Sequence, residues 1–488
     1  MNYLDLTIEE IHEALLKEKV TPLQLVKEAL KRAKSDQNNA FEYICEKEAL
    51  ETAKNLDLTK KNNLLWGIPF VLKDNFTTKD IQTCASSNIL KGYVPVFSSE
   101  TYLRLINQGA ILIGKTTLDE LAMGGTGTTG HLGTTFNPWD KTHTHMVGGS
   151  SCGSAAAISA GIVPLAIGSD TGDSVRKPAS HAGLVGFKPT WGRISRFGLF
   201  PFAPSMDHVA FFTRSVKDAA ITLETLAGYD EKDFTSSKHP IEKYSQQINS
   251  QIKGLKIAVI DEICDCINNK EIIKTFNQTI EELKKRGAII NHVSLDMKLC
   301  KAIYPTYIVI SCAEATSNNA CLDGLKYGDR KEGKTYEEII NKTRTNGFSE
   351  LIKRRFIIGG YSLLKENQED TFLRAQKCRR LIVNRINEIL KENDIIYLPA
   401  APSTAPLLSN PDLDKLSNEY LIADNHLIIA NFAGLPSLTL PIGFIKDMPF
   451  GGNITGNIFE EQTVLNASLA LEEITGLKNI MPNKGDLA

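Results

Sequence analysis

The 488-residue chain carries 55 lysines and arginines against 57 aspartates and glutamates, and is 42% hydrophobic and 23% charged. Its formal net charge of -2 excludes a surface that as a whole attracts phosphate backbones, and the composition excludes a disordered polypeptide. The length accommodates about three average domains or one large α/β domain.

In chain order, the first residues, MNYLDLTIEEIHEALLKEKV, are acidic and amphipathic, without the basic start and apolar centre of a signal peptide. Thr7-Ile-Glu-Glu10 and Thr21-Pro-Leu-Gln24 read as capping boxes, the second with proline at the first helical position, where its missing N–H costs nothing. Two helices follow, the second laying Leu23, Val26 and Leu30 on a larger body. From Trp66 the pattern changes to short apolar runs set off by glycine, IPFVL (68–72), AILIG (110–114) and PLAIG (164–168), which predict buried strands. Residues 226–253 are polar, a surface excursion. KIAVI (256–260), a helix around 270–286 and AIINHVSL (288–295) form a βαβ unit, and IIYLP (395–399) and SLTLP (437–441) are later strands. Strands interleaved with helices imply a parallel or mixed sheet covered on both faces. The longest weakly polar run, 155–168, contains Pro164 and is too short to span a bilayer. Nine scattered cysteines without a C-x-x-C pair predict free thiols in a reducing cytoplasm and no zinc or disulfide framework.

Two motif matches fail on context. Gly109-Ala-Ile-Leu-Ile-Gly114-Lys115-Thr116 has P-loop spacing, but a phosphate cradle needs exposed backbone N–H groups, and Ala-Ile-Leu-Ile pairs as a buried strand. Gly149-Ser-Ser151-Cys-Gly153 has the spacing of a nucleophile elbow, yet the segment before it, DKTHTHMVGG, is loop-like. None of the candidate partners His181, His208, His239, His292 and His426 lies in a recognisable partner motif.

What remains is the stretch VGGSSCGSAAAISAGIVPLAIGSDTGDSVRKPAS (147–180), dense in serine, glycine and alanine, and Lys73 at the end of a buried run. A desolvated lysine loses its proton more easily, and a neutral amine is a base; the same fragment also fits a lysine snorkelling from a strand end. These segments, with VLKDN, NPWD, GLVGFKPTWGRISRFGL and NFAGLPSLTLP, resemble the signature of the amidase signature family over nearly the whole chain. The resemblance implies an α/β fold with one large twisted mixed sheet covered by helices on both faces. It implies a single domain over 1–488: amino-terminal helices in 1–60, a catalytic core in 61–225, the excursion at 226–253, and the rest of the sheet with the substrate pocket in 254–488. It also implies a Ser-cisSer-Lys triad in which Lys73 is the base, Ser150 the bridging serine before a cis peptide, and Ser174 the nucleophile, the other serines being mainly structural. The turn Thr171-Gly172-Asp173-Ser174 then aims backbone N–H groups at an oxyanion. The alanine-rich 155–162 is a packed central helix. Two departures stand out: Asp173 replaces a glycine usual in the family, placing a carboxylate near the oxyanion and within reach of the Lys73 charge, and Cys152 replaces another.

Residues 306–330, TYIVISCAEATSNNACLDGLKYGDR, resemble one branch of that family, the A subunits of tRNA-dependent amidotransferases. The resemblance implies a glutamine pocket lined by Tyr307, Arg355 (with Arg354 adjacent) and Asp424, whose fixed anion and fork-shaped cation suit an amino acid's ammonium and carboxylate. It further implies B and C subunits in a heterotrimer, no cofactor or metal in this chain, ATP and Mg on the partner, aminoacyl-tRNA reached through the B subunit, and a cytoplasmic setting. Glu-tRNA(Gln) and Asp-tRNA(Asn) both remain as acceptors. The alternatives are a stand-alone amidase and a catalytically idle assembly subunit.

Overall fold

The computed structural model describes residues 2–409 and 415–482. The apolar runs pair as expected: β2 (Pro69–Lys73), β3 (Ile111–Thr116) and β4 (Leu165–Asp170) are buried at every position. They follow β1 (Phe41–Ile44) and precede β5 (Val185–Lys188) and β6 (His208–Thr213). The second half of the chain adds β7 (Lys256–Ile260), β8 (Ile289–Val293), β9 (Ile395–Pro399), β10 (Ser437–Ile445) and β11 (Met448–Gly456). All eleven join one mixed sheet in the order β1-β3-β2-β4-β6-β5-β10-β11-β9-β7-β8. The β7–β8 pair is parallel and bridged by the helix Lys270–Lys285, a βαβ unit.

Both amino-terminal helices form with their capping boxes, Ile8–Leu16 behind Thr7 and Pro22–Lys34 behind Thr21. The second buries Leu25, Val26, Ala29 and Leu30 in the core cluster shared with the sheet. The helix Cys152–Ser159 is buried at all eight positions. A Cβ on its Gly153 would fall 2.4 Å from the Ala40 carbonyl oxygen, so the small residues there permit close backbone approach.

Lys115, of the P-loop-like string, lies within β3, fully buried, with Nζ 3.0 Å from Asp74 Oδ1 and donating to the Phe76 carbonyl and Thr83 Oγ1. It is a buried structural cation, since a charge inside the protein persists when paired and hydrogen-bonded. All nine cysteines are unpaired. Among the described residues, no helix is long and apolar enough to cross a membrane.

Candidate active site

The parallel pairing of β2 with β4 sets their carboxyl ends side by side, the edge at which open α/β sheets collect ligands. Lys73 ends β2, and Ser169 and Asp170 end β4. The loop entering the helix Cys152–Ser159 adds Ser150, and the turn between β4 and the helix Arg176–Ala182 adds Ser174. Ser151 N–H donates to the Ser174 carbonyl at 3.2 Å, which ties these two loops together.

Lys73 is fully buried, its Nζ 2.8 Å from Ser150 Oγ, 2.9 Å from Ser169 Oγ and 3.4 Å from the Ser169 carbonyl oxygen. Burial lowers its pKa to about 7, against the opposing charges of Cys152, Asp119, Asp170 and Asp207. A neutral amine has two N–H donors and one lone pair. With both donors engaged by Ser169, the lone pair faces the Ser150 hydroxyl. Asn75 Nδ2 also donates to Ser169 Oγ, at 3.0 Å. Ser169, read from sequence as mainly structural, therefore orients the amine. Nothing local in the chain signals this, because it follows from strand pairing.

The Ser174 hydroxyl makes no hydrogen bond among the described residues, and the residue keeps 4% exposure. The backbone N–H groups of Gly172, Asp173 and Ser174 likewise have no acceptor among the described residues. Their turn is clamped from below. Arg176 Nη2 reaches Asp170 Oδ1 (2.9 Å) and the Gly172 carbonyl (2.7 Å), Asp170 Oδ2 accepts Val175 N–H, and Thr171 Oγ1 donates to Asp207. Asp170 is held well below the usual carboxylate range, chiefly by Arg176 against the opposing effect of burial. The single cis peptide bond among the described residues is Gly149–Ser150. It precedes Ser150 instead of following it, and a Cβ on Gly149 would sit 2.0 Å from Asp119 Oδ2.

Asp173 differs from expectation. It does not lie on a positive φ, and its Oδ2 is 2.7 Å from Lys177 Nζ, one helical turn ahead. Lys177 also lies 3.3 Å from Asp424 Oδ1 and donates to the Asp424 carbonyl. Burial opposes the charge on Lys177, but the two carboxylates raise its pKa above the ordinary value. The carboxylate expected beside the oxyanion is thus matched by a cation, and the Asp424 anion is shared with Lys177.

Tyr307, on the helix Met297–Asn318, packs its ring over Gly172, and a Cβ there would meet it at 3.1 Å. Arg355 stands over the Phe202 ring at 5.7 Å, and its Nε and Nη1 have no hydrogen-bond partner. Arg354 is exposed. The Arg355 guanidinium also lies beside Cys312, whose thiol pKa burial pushes up against the lowering effect of that cation.

Ser151, the elbow candidate, has no strand before it and donates to the Ser169 carbonyl. His208 and His426 turn Nδ1 to the carbonyl oxygens of Met206 and Ala423, and His292 pairs with Asp261.

The Amidase family model matches residues 24–465. The chain belongs to the amidase signature family. Within it, the A subunit of the glutamyl-tRNA(Gln) amidotransferase from Pediococcus pentosaceus is 39% identical, with each chain covered in full. Its namesake from Streptococcus pneumoniae is 38% identical over 99% of both chains. The crystal structure of the corresponding glutamyl-tRNA(Gln) amidotransferase chain from Thermotoga maritima superposes with a TM-score of 0.82 at 33% identity, covering 99% of this chain and 98% of that one. A crystal structure described only as an amidase superposes with a TM-score of 0.80 at 28% identity.

Proposed function

We propose that this chain is the glutamine-hydrolysing subunit of a tRNA-dependent amidotransferase, with Ser174 as nucleophile, Ser150 as proton relay and Lys73 as base. The observation that carries the reading is the buried Lys73 amine, with a pKa near 7, 2.8 Å from Ser150. A serine hydroxyl attacks well only when a base removes its proton. Ser174 Oγ forms the bond to the carboxamide carbon, its proton passes to Ser150, and the Ser150 proton passes to Lys73. The tetrahedral oxyanion takes hydrogen bonds from the free N–H groups of the 172–174 turn, each such donor supplying roughly 3–4 kcal/mol in other hydrolases. The proton held on Lys73 returns through Ser150 to the leaving nitrogen, which departs as ammonia. Water then opens the glutamyl ester by the same path.

Arg355 receives the α-carboxylate of glutamine. Asp424, with Asp173 across Lys177, leaves a net negative pocket wall for the ammonium, and Tyr307 closes the side above Gly172. Full-length similarity to amidotransferase A subunits favours this reading over a stand-alone amidase. The same similarity to A subunits supports partner subunits. We assign these as B and C subunits, with ATP and Mg bound outside this chain and Glu-tRNA(Gln) or Asp-tRNA(Asn) as the final acceptor. The pairing of Asp173 with Lys177 favours an active subunit over an idle one.

The test is ammonia release from glutamine, with and without the partner subunits, by wild type and Ser174→Ala. The substitution is expected to cost at least about 10³-fold. Equal release by the two proteins would overturn the assignment.

A further inference from the structure

A second cluster of chemistry-bearing side chains lies outside the triad. Glu42 on β1, Cys84 in the loop after β2 and His131 in the loop after β3 converge, although 42 and 47 residues separate them along the chain. We propose that these three residues bind one transition-metal ion of the zinc class, with solvent as the fourth ligand.

The first argument is geometric. Cys84 Sγ lies 3.6 Å from Glu42 Oε2 and 3.7 Å from His131 Nε2, and His131 Nε2 lies 3.0 Å from Glu42 Oε2. A tetrahedral ion with bonds of about 2.0–2.3 Å sets its ligand atoms roughly 3.3–3.6 Å apart. The three measured edges therefore bracket one face of such a tetrahedron.

The second argument comes from the atoms behind the ligands. His131 Nδ1 sits 3.1 Å from Asn88 Oδ1, and Ser86 Oγ donates to the other Glu42 oxygen. An amide oxygen only accepts, so Nδ1 carries a ring proton and Nε2 is the nitrogen turned to Glu42. Without an ion, Nε2 shares a proton with Glu42 at 3.0 Å; a bound cation would take that proton's place while Nδ1–H stays on Asn88. A metal-bound histidine that donates its other N–H to a carbonyl, beside a carboxylate that is itself hydrogen-bonded, is the usual support of such a centre.

The donor set decides the ion. Magnesium and calcium take oxygen ligands, whereas one sulfur, one nitrogen and one oxygen select zinc and its borderline neighbours. Asp74 Oδ2 is 3.1 Å from Cys84 Sγ but already accepts the N–H groups of Cys84 (2.7 Å) and Ala85 (3.1 Å), which leaves the fourth corner to solvent. The cluster opens at its rim, with His131 and Glu42 side chains 12% and 5% exposed. An ion there would fasten β1 and two loops behind the Lys73–Asn75 segment.

The experiment is titration of the purified, chelator-treated full-length chain with cobalt(II), followed by zinc(II), under absorption spectroscopy. One equivalent of cobalt is expected to raise a near-ultraviolet thiolate charge-transfer band that zinc abolishes. Cys84→Ser is expected to lose the band, and His131→Ala and Glu42→Gln to weaken binding on the order of tenfold or more. Should the buried Cys84→Ser variant fail to fold, as read by circular dichroism, the two rim variants decide the matter. Absence of the band in wild type, or a band indifferent to all of these substitutions, would overturn the proposal.

Discussion

Lys73 is the residue on which the chemistry turns, and its setting is unusual for a lysine. An ammonium with no carboxylate in contact, in a fully buried site, gives up its proton because the charged form is the one that burial penalises. Replacing it with the nearly isosteric Lys73→Met should preserve folding, read by circular dichroism, and lower glutamine hydrolysis by about 10²–10⁴-fold, the span of general-base catalysis. Ser150→Ala should fall in the same span, since it removes the hydroxyl that contacts the Lys73 amine at 2.8 Å and relays the proton to it. At this scale the triad positions were legible because VLKDN, GGSSCGS and GSDTGDS are contiguous strings. Ser169 was not, since its contact with Lys73 exists only once β2 and β4 pair. Glu42 and His131 stayed hidden for the same reason, being near neighbours in space and distant in sequence.

At the scale of elements, the decisive unit is the turn from β4 into the helix Arg176–Ala182. Its free N–H groups are presented because the Asp170–Arg176 pair fixes the chain below them. The Asp173–Lys177 pair one turn on does for charge what Asp170 does for shape. Removing one partner of a buried pair leaves an uncompensated charge, a loss of roughly 3–5 kcal/mol. Lys177→Met should therefore destabilise the protein by about that amount in urea denaturation. The double variant Lys177→Met with Asp173→Asn should recover part of the loss, a non-additivity that a double-mutant cycle measures. Elements rich in branched aliphatic residues, such as β2, β3, β7 and β9, could be read directly. β11 could not, because MPFGGNITG carries two adjacent glycines and a proline, and its eight-pair register with β10 comes from burial between strands. VGFK is too short to declare itself, and β1, at the sheet edge with an exposed tyrosine, lacks a continuous apolar run.

Across the whole molecule, the sheet buries more ionisable groups than the reaction uses, and these set how stability responds to pH. Burial pushes the Glu472 carboxyl up to about 7, although Val216 N–H donates to it. The folded state keeps this proton through a range where the unfolded chain has lost it, so the contribution of Glu472 to stability falls as pH rises from about 4.5 through 7. Glu472→Gln, which retains an acceptor for Val216, should match wild type in melting temperature at pH 5 and exceed it at pH 8. A difference that does not grow with pH would show that Glu472 titrates normally. The same burial that costs stability at Glu472 supplies the base at Lys73. The most direct test is an NMR titration of the chain with ¹³C-labelled lysine ε-carbons, the Lys73 signal being assigned by its loss in Lys73→Met. A midpoint near pH 7 is expected. A Lys73 amine that stays protonated to pH 10, as a solvated lysine does, would contradict the account.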